Sequence, residues 1–135
     1  MREDLFILLD ALGDDPRALR DRALLLIGWA GGFRSSELVG LDLNDVEEVR
    51  EGRVLHLRRS KTDQMGQGRK IGIPLGRTRH CPVAALSAWL GILNKDEGPI
   101  FRPVDRHGNV QPDRLRADAV STILEFPRFG RRLWA

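Results

Sequence analysis

The order of hydrophobic periods along the chain predicts an α+β fold, mainly helical with a three-stranded antiparallel β-sheet. Two stretches at helical spacing come first, a two-residue alternation occupies roughly residues 45–73, and helical spacing returns at Pro82. The chain has 135 residues, which suits a single core, and its 41% hydrophobic and 30% charged content fits a globular chain rather than a disordered one.

Each element has a local cause. Glu3 to Leu12 alternates acidic and apolar residues at helical spacing and stops at Gly13. Asp15-Pro16 reads as an N-cap followed by proline in the first turn, where a missing N–H costs nothing. From there Leu19, Ala23, Ile27 and Ala30 mark one face, widened by Leu24, Leu25 and Leu26 into a mostly buried helix that Gly31-Gly32 ends. Ser35 to Leu41 reads as a short helix. A strand at Asp45 to Val49 turns at Glu51-Gly52 into a second, in which Val54, His56 and Arg58 alternate with Leu55, Leu57 and Arg59. SKTDQMGQGRK, with Gly66 and Gly68, reads as a hairpin tip before a third strand through Ile71 and Ile73. Pro82 opens a helix with Val83, Leu86, Leu90 and Leu93 on one stripe, and a last helix is expected from Asp113, with Leu115, Ala119 and Ile123 on one face.

Charge is unevenly distributed. Residues 1–52 carry twice as many acidic as basic side chains, whereas residues 53–80 hold Arg53, Arg58, Arg59, Lys61, Arg69, Lys70, Arg77 and Arg79 against Asp63 alone. Such a segment attracts a polyanion by Coulomb attraction and counterion release, or simply keeps a solvated hairpin soluble. The longest apolar stretch, Ala23 to Phe33, is too short to span a bilayer, and MREDLFILLD lacks the pattern of a signal peptide. A lone cysteine, Cys81, excludes an internal disulfide and fits a cytoplasmic location.

The segments RDRALLLIGWAGGFRSSELVGLDLNDV, LHLRRSKTDQMGQGRKIGIPLG and CPVAALSAWL, in that order, resemble the catalytic domain of tyrosine recombinases, the phage-integrase family. The likeness runs over roughly residues 3–122. It implies a partial catalytic domain over residues 1–126 and a basic, non-matching tail over residues 127–135. By this resemblance Arg34, in GGFRSSEL, grips the scissile phosphate, and Lys61, in SKTD, protonates the leaving 5′-hydroxyl. Both roles suit the side chains. A planar guanidinium holds two non-bridging oxygens at once, and a partly desolvated lysine shifts its pKa toward proton transfer. Glu37, one turn on, is placed to hold Arg34 through an i, i+3 pair. Arg58, Arg59, Arg69 and Lys70 are candidate contacts to the DNA backbone.

The resemblance also implies groups that these residues do not supply. The family attacks phosphate with a tyrosine and grips it again with a His-x-x-Arg box; the chain has no tyrosine. Its literal match, His56-Leu57-Arg58-Arg59, falls in an expected strand and reads as coincidence. FPRFGRRLWA ends the chain where the family continues, so a truncated, incomplete catalytic domain is expected, with Leu115, Ile123 and Leu124 partly uncovered. His80, beside Cys81, lacks a second pair of ligands, and it and His107 read as turn residues. No metal or cofactor is expected. Asp14, Asp15, Asp42 and Asp45 read as caps and surface groups rather than a nuclease centre.

The leading expectation is a recombinase fragment that binds double-stranded DNA but cannot cleave it alone, in the cytoplasm and away from membranes. The alternatives are a non-catalytic fragment acting through protein contacts, such as an oligomer with an intact recombinase, and a decayed gene product without function.

Overall fold

Asp15 starts the central helix as its sequence requires, accepting the Ala18 N–H at 2.8 Å with Pro16 in the first turn. The computed structural model describes residues 2–57, 68–126 and 131–132. Within them lie α1 (Arg2–Ala11), α2 (Pro16–Gly31), α3 (Ser35–Gly40), β1 (Val46–Val49), β2 (Gly52–Leu57), β3 (Arg69–Pro74), α4 (Pro82–Leu93), α5 (Ala117–Leu124), β4 (Glu125–Phe126) and β5 (Arg131–Arg132). The fold is α+β, five helices with a three-stranded antiparallel sheet ordered β1-β2-β3.

The core lies between α2, α4 and one face of the sheet. Ala23 to Ile27 are buried along α2, Val83, Leu86 and Trp89 along α4, and Leu55 and Ile73 point up from the sheet. Register explains the sheet's two faces. Leu55 pairs with Val46 on one side and Ile71 on the other, so these side chains share the core face. Glu47, Val54, His56 and Lys70 fall on the opposite face, where His56 Nε2 meets Glu47 Oε1 at 2.9 Å. His56 is thus a strand residue paired across the sheet.

Two long-range ties hold the helices. Trp89 is fully buried and its indole N–H donates to the Ile100 carbonyl at 2.8 Å. Arg20 is also buried, donating to Asp21 and to the Arg102 carbonyl. Burial pushes the Asp21 carboxyl above its ordinary range, with Arg20 opposing that shift.

α1 packs through Leu5, Leu8 and Leu9 and is pinned at its far end. Asp10 accepts from Arg79 Nε and Nη2 at 3.1 and 2.9 Å and meets His80 Nε2 at 2.9 Å. The His80 ring stacks on Phe6 with centroids 4.1 Å apart, and Phe6 meets Trp29 edge-on. Hydrogen bonds from Arg79, then His80, hold the Asp10 carboxyl well below the usual carboxylate range. His80 and His107 both lie in turns, and Cys81 caps α4 by accepting the Ala84 N–H.

The last third departs from expectation. The helix expected from Asp113 begins at Ala117, because the preceding backbone is tied elsewhere: the Leu115 N–H donates to the Phe101 carbonyl at 2.9 Å. That bond draws Leu115 into the core at 4% exposure, so it is not the uncovered residue expected; Ile123 is half-buried. The side chain of Leu124 lies outside the described residues. The first strand starts at Val46 rather than Asp45, after a 3-10 turn over Leu43–Asp45 in which Asp45 accepts the Asp42 N–H. Beyond α5, Glu125–Phe126 pairs with Arg131–Arg132 as a two-stranded ribbon.

Candidate nucleic-acid interface

The two glycines before Arg34 have separate reasons. A Cβ on Gly31 would stand 2.5 Å from Cε2 of the buried Phe33 ring, so only glycine lets that ring fold back against the helix end. Gly32 sits at φ 66°, the left-handed conformation that ends a helix, and the Phe33 N–H returns to the Gly28 carbonyl. Phe33 is therefore an anchor, 1% exposed, and the chain emerges at Arg34 directly after it. Arg34 occupies the N-cap of α3 with extended backbone and an exposed side chain. Among the described residues no carboxylate pairs with its guanidinium.

Glu37 acts differently from the i, i+3 side-chain pair expected of it. Its Oε1 accepts the backbone N–H of Arg34 at 2.8 Å, the reach-back of a third-position glutamate in a helix's first turn. Its Oε2 accepts from Arg69 Nη2 at 2.6 Å. The guanidinium of Arg34 is left outward while its main chain is fixed.

The expected basic contacts divide into three groups. Arg69 opens β3 opposite Leu57, on the core face of the sheet, and reaches α3 through Glu37. Lys70 pairs with His56 on the other face and is exposed there. Arg58, Arg59 and Lys61 lie outside the described residues. The structure therefore brings Arg34 and Arg69 to one carboxylate and turns Lys70 away from it.

Residues far apart in sequence steady this platform. Arg114 donates to the Val39 carbonyl and to Asp42 Oδ1, both at 2.6 Å, tying the approach to α5 onto the exit of α3. The Ile100 N–H donates to the Leu41 carbonyl, and the Leu43 N–H to the Gly98 carbonyl. Asp42 and Asp45 serve these structural bonds. Among the described residues, no three His, Cys, Asp or Glu side chains converge as metal ligands would, and no helix is long and apolar enough to cross a membrane. The Glu37–Arg69, Asp10–Arg79 and Arg114–Asp42 pairs span 32, 69 and 72 residues, and no periodicity in the sequence signals such pairings.

A helix closed by two glycines, an exposed arginine at the cap of the next short helix, and an antiparallel strand pair tied to it through Glu37 and Arg69 form one framework. The chain belongs to the tyrosine recombinase family. It is 35% identical over 127 residues to the integrase/recombinase xerD homolog of Selenomonas ruminantium, covering 93% of this chain and 37% of that protein. It is 36% identical over 98 residues to tyrosine recombinase XerC 1 of Ralstonia nicotianae, covering 70% and 29%. With tyrosine recombinase XerC of Shewanella oneidensis it shares 39% identity over 90 residues, covering 65% and 25%. The chain thus spans only about a quarter to two-fifths of the length of these curated relatives. No protein-family profile matches it.

Proposed function

We propose that this chain carries half of a phosphodiester site and binds the backbone of double-stranded DNA without cleaving it alone. Arg34 grips a phosphate, and Lys61, in the sequence between β2 and β3, is the family's proton donor to a leaving 5′-hydroxyl. Arg58, Arg59, Arg69 and Lys70 neutralise neighbouring phosphates. The carrying observation is Arg34 itself: exposed, and fixed through its main chain by Phe33 and by Glu37, whose other oxygen holds Arg69 at the start of β3. A guanidinium held by its backbone rather than by a carboxylate keeps its donors for a ligand, and two parallel N–H groups match two phosphate oxygens.

The family role would be site-specific DNA recombination and integration, in keeping with relatives named integrase/recombinase and tyrosine recombinase. Strand transfer through phosphotyrosine needs a nucleophile, and these 135 residues contain no tyrosine. The chain would act in the cytoplasm without metal or cofactor, with DNA as its partner and an intact recombinase as a further one.

A salt titration on a 50-base-pair duplex tests the proposal. The expected result is a shift that weakens steeply with salt and falls about tenfold in affinity on Arg34→Ala, the loss of one charge-assisted bidentate contact. A duplex that shows no salt-sensitive binding ends it. Co-purification with a full-length relative, unaffected by Arg34→Ala, would favour the protein-contact reading instead.

A further inference from the structure

Glu37 joins two parts of the chain that lie 32 residues apart, and it does so through a single rigid group. The two oxygens of a carboxylate are fixed in one plane. With Oε1 on the Arg34 N–H at 2.8 Å and Oε2 on Arg69 Nη2 at 2.6 Å, the position of one partner restricts the other. Arg69 is the first residue of β3 and pairs with Leu57, the last of β2, so it stands at the end of the β2–β3 ladder. Its side chain is 56% exposed and that of Glu37 24%, so this contact adds little to global stability.

We infer that Arg69 is a positioning residue: through Glu37 it sets the base of the β2–β3 hairpin in register with Arg34, so that both present their cations to one stretch of phosphodiester backbone. This rests on the phosphate-site reading above. A guanidinium suits the task because one of its N–H edges engages Glu37 while the others remain available to DNA. The physical gain is preorganisation: cations held in register before DNA arrives lose less freedom on binding than cations on two independent elements.

Two measurements test it. The first is duplex affinity of Glu37→Gln, which keeps an oxygen for the Arg34 N–H but removes the charge that Arg69 faces. Coulomb's law alone makes this variant bind DNA more tightly, because it deletes a negative charge beside the site. The positioning role reverses the sign, to roughly fivefold weaker binding at an unchanged melting temperature. The second needs no DNA: hydrogen exchange at the Arg34 amide in Arg69→Gln. The expected result is exchange faster by about threefold or more, although Glu37 itself is untouched. Glu37→Gln binding as tightly as the parent or tighter, or an Arg34 amide indifferent to Arg69→Gln, overturns the positioning role alone. A parent chain with no salt-sensitive binding instead fails the phosphate-site reading, and the exchange measurement still decides whether Arg69 governs the Arg34 segment.

Discussion

At the scale of single residues, the glycine pair shows how a sequence aims a side chain. WAGGFR reads at once as a helix stop followed by an arginine, but the sequence does not say that the two glycines answer different demands. Gly32 is needed for its positive φ, Gly31 for the approach of Phe33. Gly31→Ala should therefore cost about 1–3 kcal/mol by forcing the Phe33 ring off its seat, and Gly32→Ala about 1–2 kcal/mol through backbone strain. Chemical denaturation of the two variants checks both, and the first should also weaken duplex binding because Phe33 anchors Arg34. Trp89→Phe leaves the Ile100 carbonyl without its indole partner inside the core, and a loss of about 1–3 kcal/mol is expected in the same assay. Glu37 was legible as a partner of Arg34 from spacing alone. That it takes the main-chain N–H, freeing the guanidinium, follows from first-turn geometry that spacing does not specify.

At the scale of elements, helices and strands were legible where period and capping agreed. α2 and α4 each begin with a capping residue and proline, and the sheet follows its two-residue alternation. α5 was misplaced by four residues because Leu115 is claimed by Phe101 and Arg114 by α3, contacts from outside its own window. The attachment of α1 is equally non-local. Asp10 has its carboxyl depressed by Arg79 and then His80, so ionised Asp10 stabilises the folded chain at pH values above its unfolded pKa of about 4. That contribution declines as pH falls below it. Asp10→Asn should accordingly melt earlier than the parent at pH 7, with the gap narrowing under acidification below about pH 4. Thermal melts across that range, followed by circular dichroism, give the comparison.

At the scale of the whole molecule, charge is polarised along the chain, acidic over residues 1–52 and basic over residues 53–80. If Arg34, Arg58, Arg59, Lys61 and Arg69 each neutralise one phosphate and Lys70 neutralises less than one, log affinity should fall against log salt with a slope of about −5. Lys70 lies on the opposite sheet face from Arg69, so Lys70→Gln is expected to reduce that slope by less than Arg34→Gln does. Equilibrium binding between 50 and 200 mM salt, on the order used for such slopes, separates the two. The fold class and the family were legible because they rest on local order along the chain, whereas the bracing of the platform depends on pairings between distant residues.

Arg114 grips Val39 and Asp42 from 75 and 72 residues away. During synthesis the ledge that bears Arg34 therefore leaves the ribosome unfastened. At roughly 5–20 residues per second, its clasp is translated about 4–15 seconds later. A nascent chain halted before Arg114 would display the arginine without the shelf that aims it.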